Sequence, residues 1–149
     1  MKIRLSVSDE SYDEVKAFLE AREIEIDDDA DYILLQRDKF PEHISVKDDR
    51  GTRLMISADD IIFIESCGRT MEIHTADAVY TSSERLYQLG NMLDPEKFLR
   101  ISNSVIISVG QIKQIIPTFH MKFILQMKNN VKVDVTRNYY KAFKQFFGI

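Results

Sequence analysis

Apolar and polar residues alternate in short runs along most of this chain. Ile3-Arg4-Leu5-Ser6-Val7 has the two-residue period of a strand with one buried face. Ser8 or Ser11 can cap the helix that follows, Ser11-x-x-Glu14 having capping-box form. Tyr12, Val15, Phe18 and Leu19 then recur at helical spacing among acidic residues. Glu23 to Asp27 alternates again, Asp27-Asp28-Asp29-Ala30-Asp31 breaks the pattern, and Tyr32-Ile33-Leu34-Leu35 reads as another strand. The expectation is a small β-α-β-β appendage over residues 1–43, too short to hold much core alone, with a junction in Arg37 to Glu42.

From residue 44 to 149 the pattern is strand after short strand. His43 to Lys47 and Thr52 to Ser57 flank Asp48-Asp49-Arg50-Gly51, a hairpin turn by composition. Asp60 to Glu65 and Thr70 to Thr75 flank Ser66-Cys67-Gly68-Arg69, and Val79-Tyr80-Thr81 follows. Ser82 or Ser83 opens a helix with Leu86, Leu89, Met92 and Leu93 as its stripe and Asp94-Pro95 as its stop. Strands at Ser104 to Ser108, Ile112 to Pro117, Lys122 to Met127 and Val131 to Val135 precede a terminal helix bearing Tyr139, Tyr140, Phe143, Phe146 and Phe147. Strands at this spacing predict a mainly β domain of local antiparallel hairpins rather than a parallel sheet. The five aromatics read as core packing, not as stacking platforms for single strands.

Charge changes this picture. The chain of 149 residues has a net charge of −4, which alone argues against nucleic acid. Its distribution is uneven: residues 1–43 carry six Lys/Arg against thirteen Asp/Glu, whereas from Glu96 onward nine stand against two. Phosphate neutralisation depends on local cation density, so the basic third is where a duplex would bind. A single cysteine, Cys67, and no apolar run long enough to span a membrane or serve as a signal peptide make the cytoplasm the expected compartment.

Phe98-Leu99-Arg100-Ile101-Ser102-Asn103-Ser104-Val105-Ile106-Ile107-Ser108 resembles the signature of the LytTR family of DNA-binding domains: an aromatic, an Arg, a polar stretch with Ser, then an apolar strand. Ile112-Lys113-Gln114-Ile115 is similar to the family's next strand. Val133 to Lys144 is similar to its closing strand and helix, and Asp60-Ile61-Ile62-Phe63-Ile64-Glu65-Ser66 to an upstream strand. The matches are collinear from about Ile44 to the C-terminus.

The resemblance implies short antiparallel strands in small sheets, with DNA contacts made by loops rather than by a helix in the groove. Carried over residue by residue, it implies three regions: Arg69, Thr70 and Met71; Arg100, Ser102, Asn103 and Ser104; and Arg137 with Asn138. Arg137 can place a planar fork on guanine O6 and N7. Asn103 suits a base edge or the phosphate-sugar backbone, and Ser104 a phosphate. Lys113, Lys122, Lys141 and Lys144 could add phosphate contacts. Some family members read a base with histidine where Met71 stands. Here that contact is lost, replaced by contact with a thymine methyl, or transferred to Arg69. The family often follows a phosphoacceptor receiver domain, which 43 residues cannot form. It also implies two copies on directly repeated sites, hence a homodimer on DNA.

Other chemistries find little footing. The sequence has no Gly-rich phosphate loop, Gly-x-Ser-x-Gly, Cys-x-x-Cys or His-Glu-x-x-His, so no enzyme, metal or cofactor is expected. Asp27, Asp29 and Asp31 have calcium-loop spacing, but Tyr32 and Asp38 stand where its glycine and closing Glu belong. His43, His74 and His120 have no ligand-spaced partner. The competing reading is an interaction module without DNA contact, whose acidic segment binds a protein partner such as a membrane-bound inhibitor.

Overall fold

The alternating segments fold as short strands joined by tight turns. The computed structural model describes residues 1–36 and 40–149; Arg37, Asp38 and Lys39, on which half of the expected junction falls, lie outside the described residues. The chain divides into two compact units, Met1–Phe40 and Pro41–Ile149.

The first unit contains β1 (Lys2–Ser6), α1 (Asp9–Glu20), β2 (Glu25–Ile26) and β3 (Tyr32–Leu35). They form a three-stranded sheet in the order β2-β1-β3, both neighbours running parallel to β1. Parallel pairing needs a crossover, and α1 supplies it between β1 and β2. The helix starts after Ser8 rather than Ser11, and Asp9 and Glu10 place negative charge at the positive end of its dipole. Ile3, Val7 and Leu19 are buried in this unit, while Phe18, Tyr32, Ile33 and Leu34 stay exposed. The run from Asp27 to Asp31 is a turn in which Asp27 Oδ1 accepts the Asp29 N–H at 2.9 Å. That bond, and then Lys2, hold the Asp27 carboxyl below its ordinary range.

The second unit opens with β4 (His43–Lys47), β5 (Arg53–Ser57), β6 (Phe63–Cys67), β7 (Thr70–His74), β8 (Val79–Ser82) and α2 (Leu86–Met92). It continues with β9 (Phe98–Arg100), β10 (Val105–Ser108), β11 (Ile112–Pro117), β12 (Phe123–Met127), β13 (Lys132–Val135) and α3 (Arg137–Phe147). Seven strands form one antiparallel sheet in the order β5-β4-β8-β7-β6-β10-β9, and three form another in the order β11-β12-β13.

Two cores follow from the strand period. On one face of the large sheet, Ile44, Ile64, Ile73 and Ile106 pack with Leu86, Leu89 and Leu93 around α2. On the other, Ile62, Phe63, Val105 and Ile107 pack with Leu125, Val133, Val135 and Phe143 of the small sheet and α3. Consecutive residues of β10 alternate between the two cores, which explains its unbroken Val105-Ile106-Ile107 run: both faces are covered. Gly90 of α2 lies close to this strand; a Cβ there would sit 3.3 Å from Ile106 Cδ1.

Three local expectations shift. The strand expected from Asp60 begins at Phe63, because Ala58–Asp60 is a 3-10 turn whose Asp59 N–H is taken by Ser57 Oγ. Phe98–Arg100 forms a strand of its own, paired with β10. The middle helix is capped by neither expected serine: Ser82 Oγ takes the Glu84 N–H, and Gln88 Oε1 takes the Arg85 N–H at 2.7 Å.

Candidate nucleic-acid interface

Three turns of the second unit are stitched together by backbone hydrogen bonds. The Ser66 N–H, at the end of β6, donates to Ser104 O at 2.8 Å. The Thr136 N–H, where β13 passes into α3, donates to Ile101 O at 3.0 Å. Between those anchors the Ile101 N–H donates to Val105 O at 3.0 Å and closes the loop on itself. The turns over 67–70, 101–105 and 136–138 are therefore held at fixed relative positions by the sheet scaffold.

The first turn is the tight β6–β7 connection, in which Cys67 pairs with Thr70. Gly68 adopts φ +63°, a backbone region costly for side chains with a Cβ, and this frees Arg69 at the tip. Arg69 and Thr70 are exposed. Met71 is not: it is 6% exposed and belongs to the core around α2, in phase with Ile73 on one face of β7. Of the three outcomes left open for this position, a thymine contact by Met71 gives way to a packing role beneath the turn.

The second loop separates residues that brace from residues that face outward. Arg100 Nε donates to Ser102 O at 3.1 Å and its Nη2 to Asn103 O at 2.7 Å, so its fork grips its own loop rather than standing free for a phosphate. Ser102 is 6% exposed and its Oγ takes the Ser104 N–H at 3.2 Å. Both depart from the expected DNA-facing role, for the same reason: a five-residue turn leaves polar backbone groups that need partners. Asn103 is exposed and Ser104 half-buried.

The third region is the start of α3. Arg137, Asn138 and Lys141 are exposed, and Arg137 and Lys141 lie one helical turn apart on one stripe. The buried side carries Phe143, and Tyr140 stacks on Phe123 with centroids 4.9 Å apart. Helix and loop meet at a side-chain bond: Tyr139 Oη donates to Asn103 Oδ1 at 3.1 Å.

Two lysines separate by strand register. Phe123 pairs with Val135, so the exposed Lys122 lies at the end of the small sheet that leads into Arg137. Lys113 lies at the other end, near the Met127 pairing, and donates to Asn130 Oδ1 at 3.3 Å. About four residues of strand, roughly 13 Å, part the two ends, so Lys113 does not join the three turns. Lys144 places its Nζ 5.5 Å over the Tyr140 ring.

Sequence reasoning overlooked Arg85. Antiparallel pairing of Met71 with Ser82 carries the chain after β8 back beside the first turn. Gly68, Arg69, Met71, Ser83, Glu84 and Arg85 consequently line one open groove of about 460 Å³. The available signal was the pairing of those two strands, not the isolated arginine. In the same turn Cys67 has its thiol pushed up to about 11, first by a hydrogen bond to Glu72 and then by burial and the charges of Glu72 and Glu65. At neutral pH it stays a thiol, the less nucleophilic form.

The family model of the LytTr DNA-binding domain matches residues 51–148, a span that contains all three turns. The chain belongs to the LytTR family. It is 32% identical over 95 residues to the transcriptional regulatory protein LytR of Staphylococcus aureus strain N315, covering 64% of this chain and 39% of that protein. It is 29% identical over 96 residues to the sensory transduction protein LytT of Bacillus subtilis strain 168, covering 64% and 40%. The chain thus matches about two fifths of the length of these LytTR relatives. A solved LytTr DNA-binding domain from Bacillus cereus superposes with a TM-score of 0.69 at 23% identity, over 73% of this chain and 99% of that one. This likeness establishes the LytTR fold, mainly β with antiparallel sheets, as the sequence led one to expect.

Proposed function

We propose that residues 44–149 bind double-stranded DNA in a sequence-specific manner and that the protein regulates transcription. The observation that carries this reading is the stitching of three exposed polar turns, at Arg69, Asn103 and Arg137, onto one LytTR scaffold. Arg137 reads a guanine edge and Asn103 a neighbouring base. Arg69, Arg85, Ser104, Lys122 and Lys141 hold phosphates, with Thr70 and Asn138 at the rims of their turns. Such an arrangement works without an enzyme's nucleophile, a metal or a cofactor. Two copies occupy directly repeated sites as a homodimer on DNA, in the cytoplasm.

The acidic unit serves as a regulatory or oligomerisation element. Its excess of carboxylates would be repelled by phosphates, and its exposed Phe18, Tyr32, Ile33 and Leu34 suit a protein contact better than a polyanion.

A duplex shift assay at several salt concentrations tests the reading. Arg137→Ala is expected to lose about 1–3 kcal/mol of discrimination between the preferred and a scrambled duplex. Lys141→Ala is expected to weaken both duplexes equally and to reduce the salt slope by about 1. Wild-type discrimination in Arg137→Ala, or a wild-type salt slope in Lys141→Ala, would contradict the assignment.

A further inference from the structure

The bond from Tyr139 Oη to Asn103 Oδ1 bears on what Asn103 can recognise. An asparagine amide carries one acceptor oxygen and two N–H donors, and a free amide can turn either edge outward. Tyr139 biases that choice: its hydroxyl donates to Oδ1, and this bond holds the amide with its oxygen inward. Its ring packs against the core beneath α3, so its hydroxyl stands at a fixed place, 3.1 Å from Oδ1. The Asn103 backbone is equally fixed, its carbonyl taken by Arg100 Nη2 at 2.7 Å and the next carbonyl by the Ser66 N–H. Among the described residues none accepts a hydrogen bond from Asn103 Nδ2. With the oxygen turned toward Tyr139, the exposed edge of Asn103 is its amino group.

Resting on the DNA-binding reading above, we infer that Tyr139 is a positioning residue that presets Asn103 as a donor and makes it favour guanine over adenine. Guanine offers two acceptors, N7 and O6, in the major groove, whereas adenine offers an acceptor and a donor. A freely turning asparagine matches adenine with both edges at once. An asparagine whose oxygen is already engaged gives up part of that match and gains a two-donor fit to guanine. The effect belongs to specificity rather than to overall affinity, because phosphate contacts elsewhere do not depend on the amide's orientation.

The test uses the full chain and duplexes carrying each of the four bases in turn at every position of its selected site, competed at one salt concentration. Asn103→Ala identifies the position that Asn103 reads, since discrimination there disappears. At that position wild type prefers guanine to adenine. Tyr139→Phe keeps the ring and its packing and removes only the hydroxyl; the guanine-to-adenine ratio falls by roughly 5-fold or more, the low end of what one base contact supplies. A 7-deazaguanine at the same position weakens wild type more than Tyr139→Phe. An unchanged ratio in Tyr139→Phe, or a loss spread evenly over all positions, overturns the inference while leaving DNA binding intact. A wild-type chain that discriminates at no position overturns the DNA-binding reading and this inference with it.

Discussion

The imidazole of His74 lies flat on Phe63, with ring centroids 4.0 Å apart, and its Nε2 sits 3.5 Å from Glu72 Oε2 without a hydrogen-bond partner among the described residues. Burial lowers its pKa below the ordinary 6.5, and Glu72 and Glu65 oppose but do not reverse the shift. A histidine that titrates lower when folded holds fewer protons in the native state than in the unfolded one. Its contribution is therefore fully present above 6.5 and is lost as pH falls through the folded value. Thermal midpoints should drop between pH 7.5 and 5.5, and His74→Phe, which keeps the stack, should drop less. Equal drops would show that other groups carry the pH dependence. At this scale the sequence was informative where the residue's role is to be exposed. Arg69 is exposed at its turn tip, Asn103 is exposed in its loop although Tyr139 holds its Oδ1, and Arg137 is exposed at the start of α3. It was uninformative where a polar side chain folds back on its own loop, as Arg100 and Ser102 do, because that choice depends on which backbone carbonyls lack partners. The phase of Met71 with Ile73 marks the buried face of β7, a signal that grouping Met71 with Arg69 and Thr70 overlooks.

Among the elements, α3 depends on tertiary support. With 11 residues it is shorter than helices that hold alone in water, so its apolar face must keep it docked. Phe143, 1% exposed, packs 5.1 Å from Phe123 and 4.7 Å from Phe147, centroid to centroid. Phe143→Ala should cost about 3–5 kcal/mol in urea denaturation, the usual range for emptying such a site. A cost under about 1 kcal/mol would mean that α3 is held by something else. The terminal helix and most hairpins were legible because their periods run long enough to be unambiguous. Strand β9 was not, since three residues beside a Pro-containing turn carry too little pattern. The start of β6 was misplaced because Ser57 diverts the chain into a 3-10 turn, a side-chain effect that alternation does not encode.

Across the whole molecule, a net charge of −4 conceals an acidic first unit and a basic end. The proposed duplex contact therefore rests on local charge rather than on the average. The antiparallel class could be read from collinear motifs. The two cores, and the proximity of Arg85 to Arg69, could not, because both arise from strand order, which single-segment patterns leave open. The most direct test is selection of bound duplexes from a random pool by the full chain at moderate salt. The account predicts enrichment of a discrete motif containing guanine contacts, present as a direct repeat, with Arg137→Ala failing to enrich it. Recovery of an unchanged pool, or retention that ignores sequence and vanishes with salt for wild type and variant alike, would contradict it.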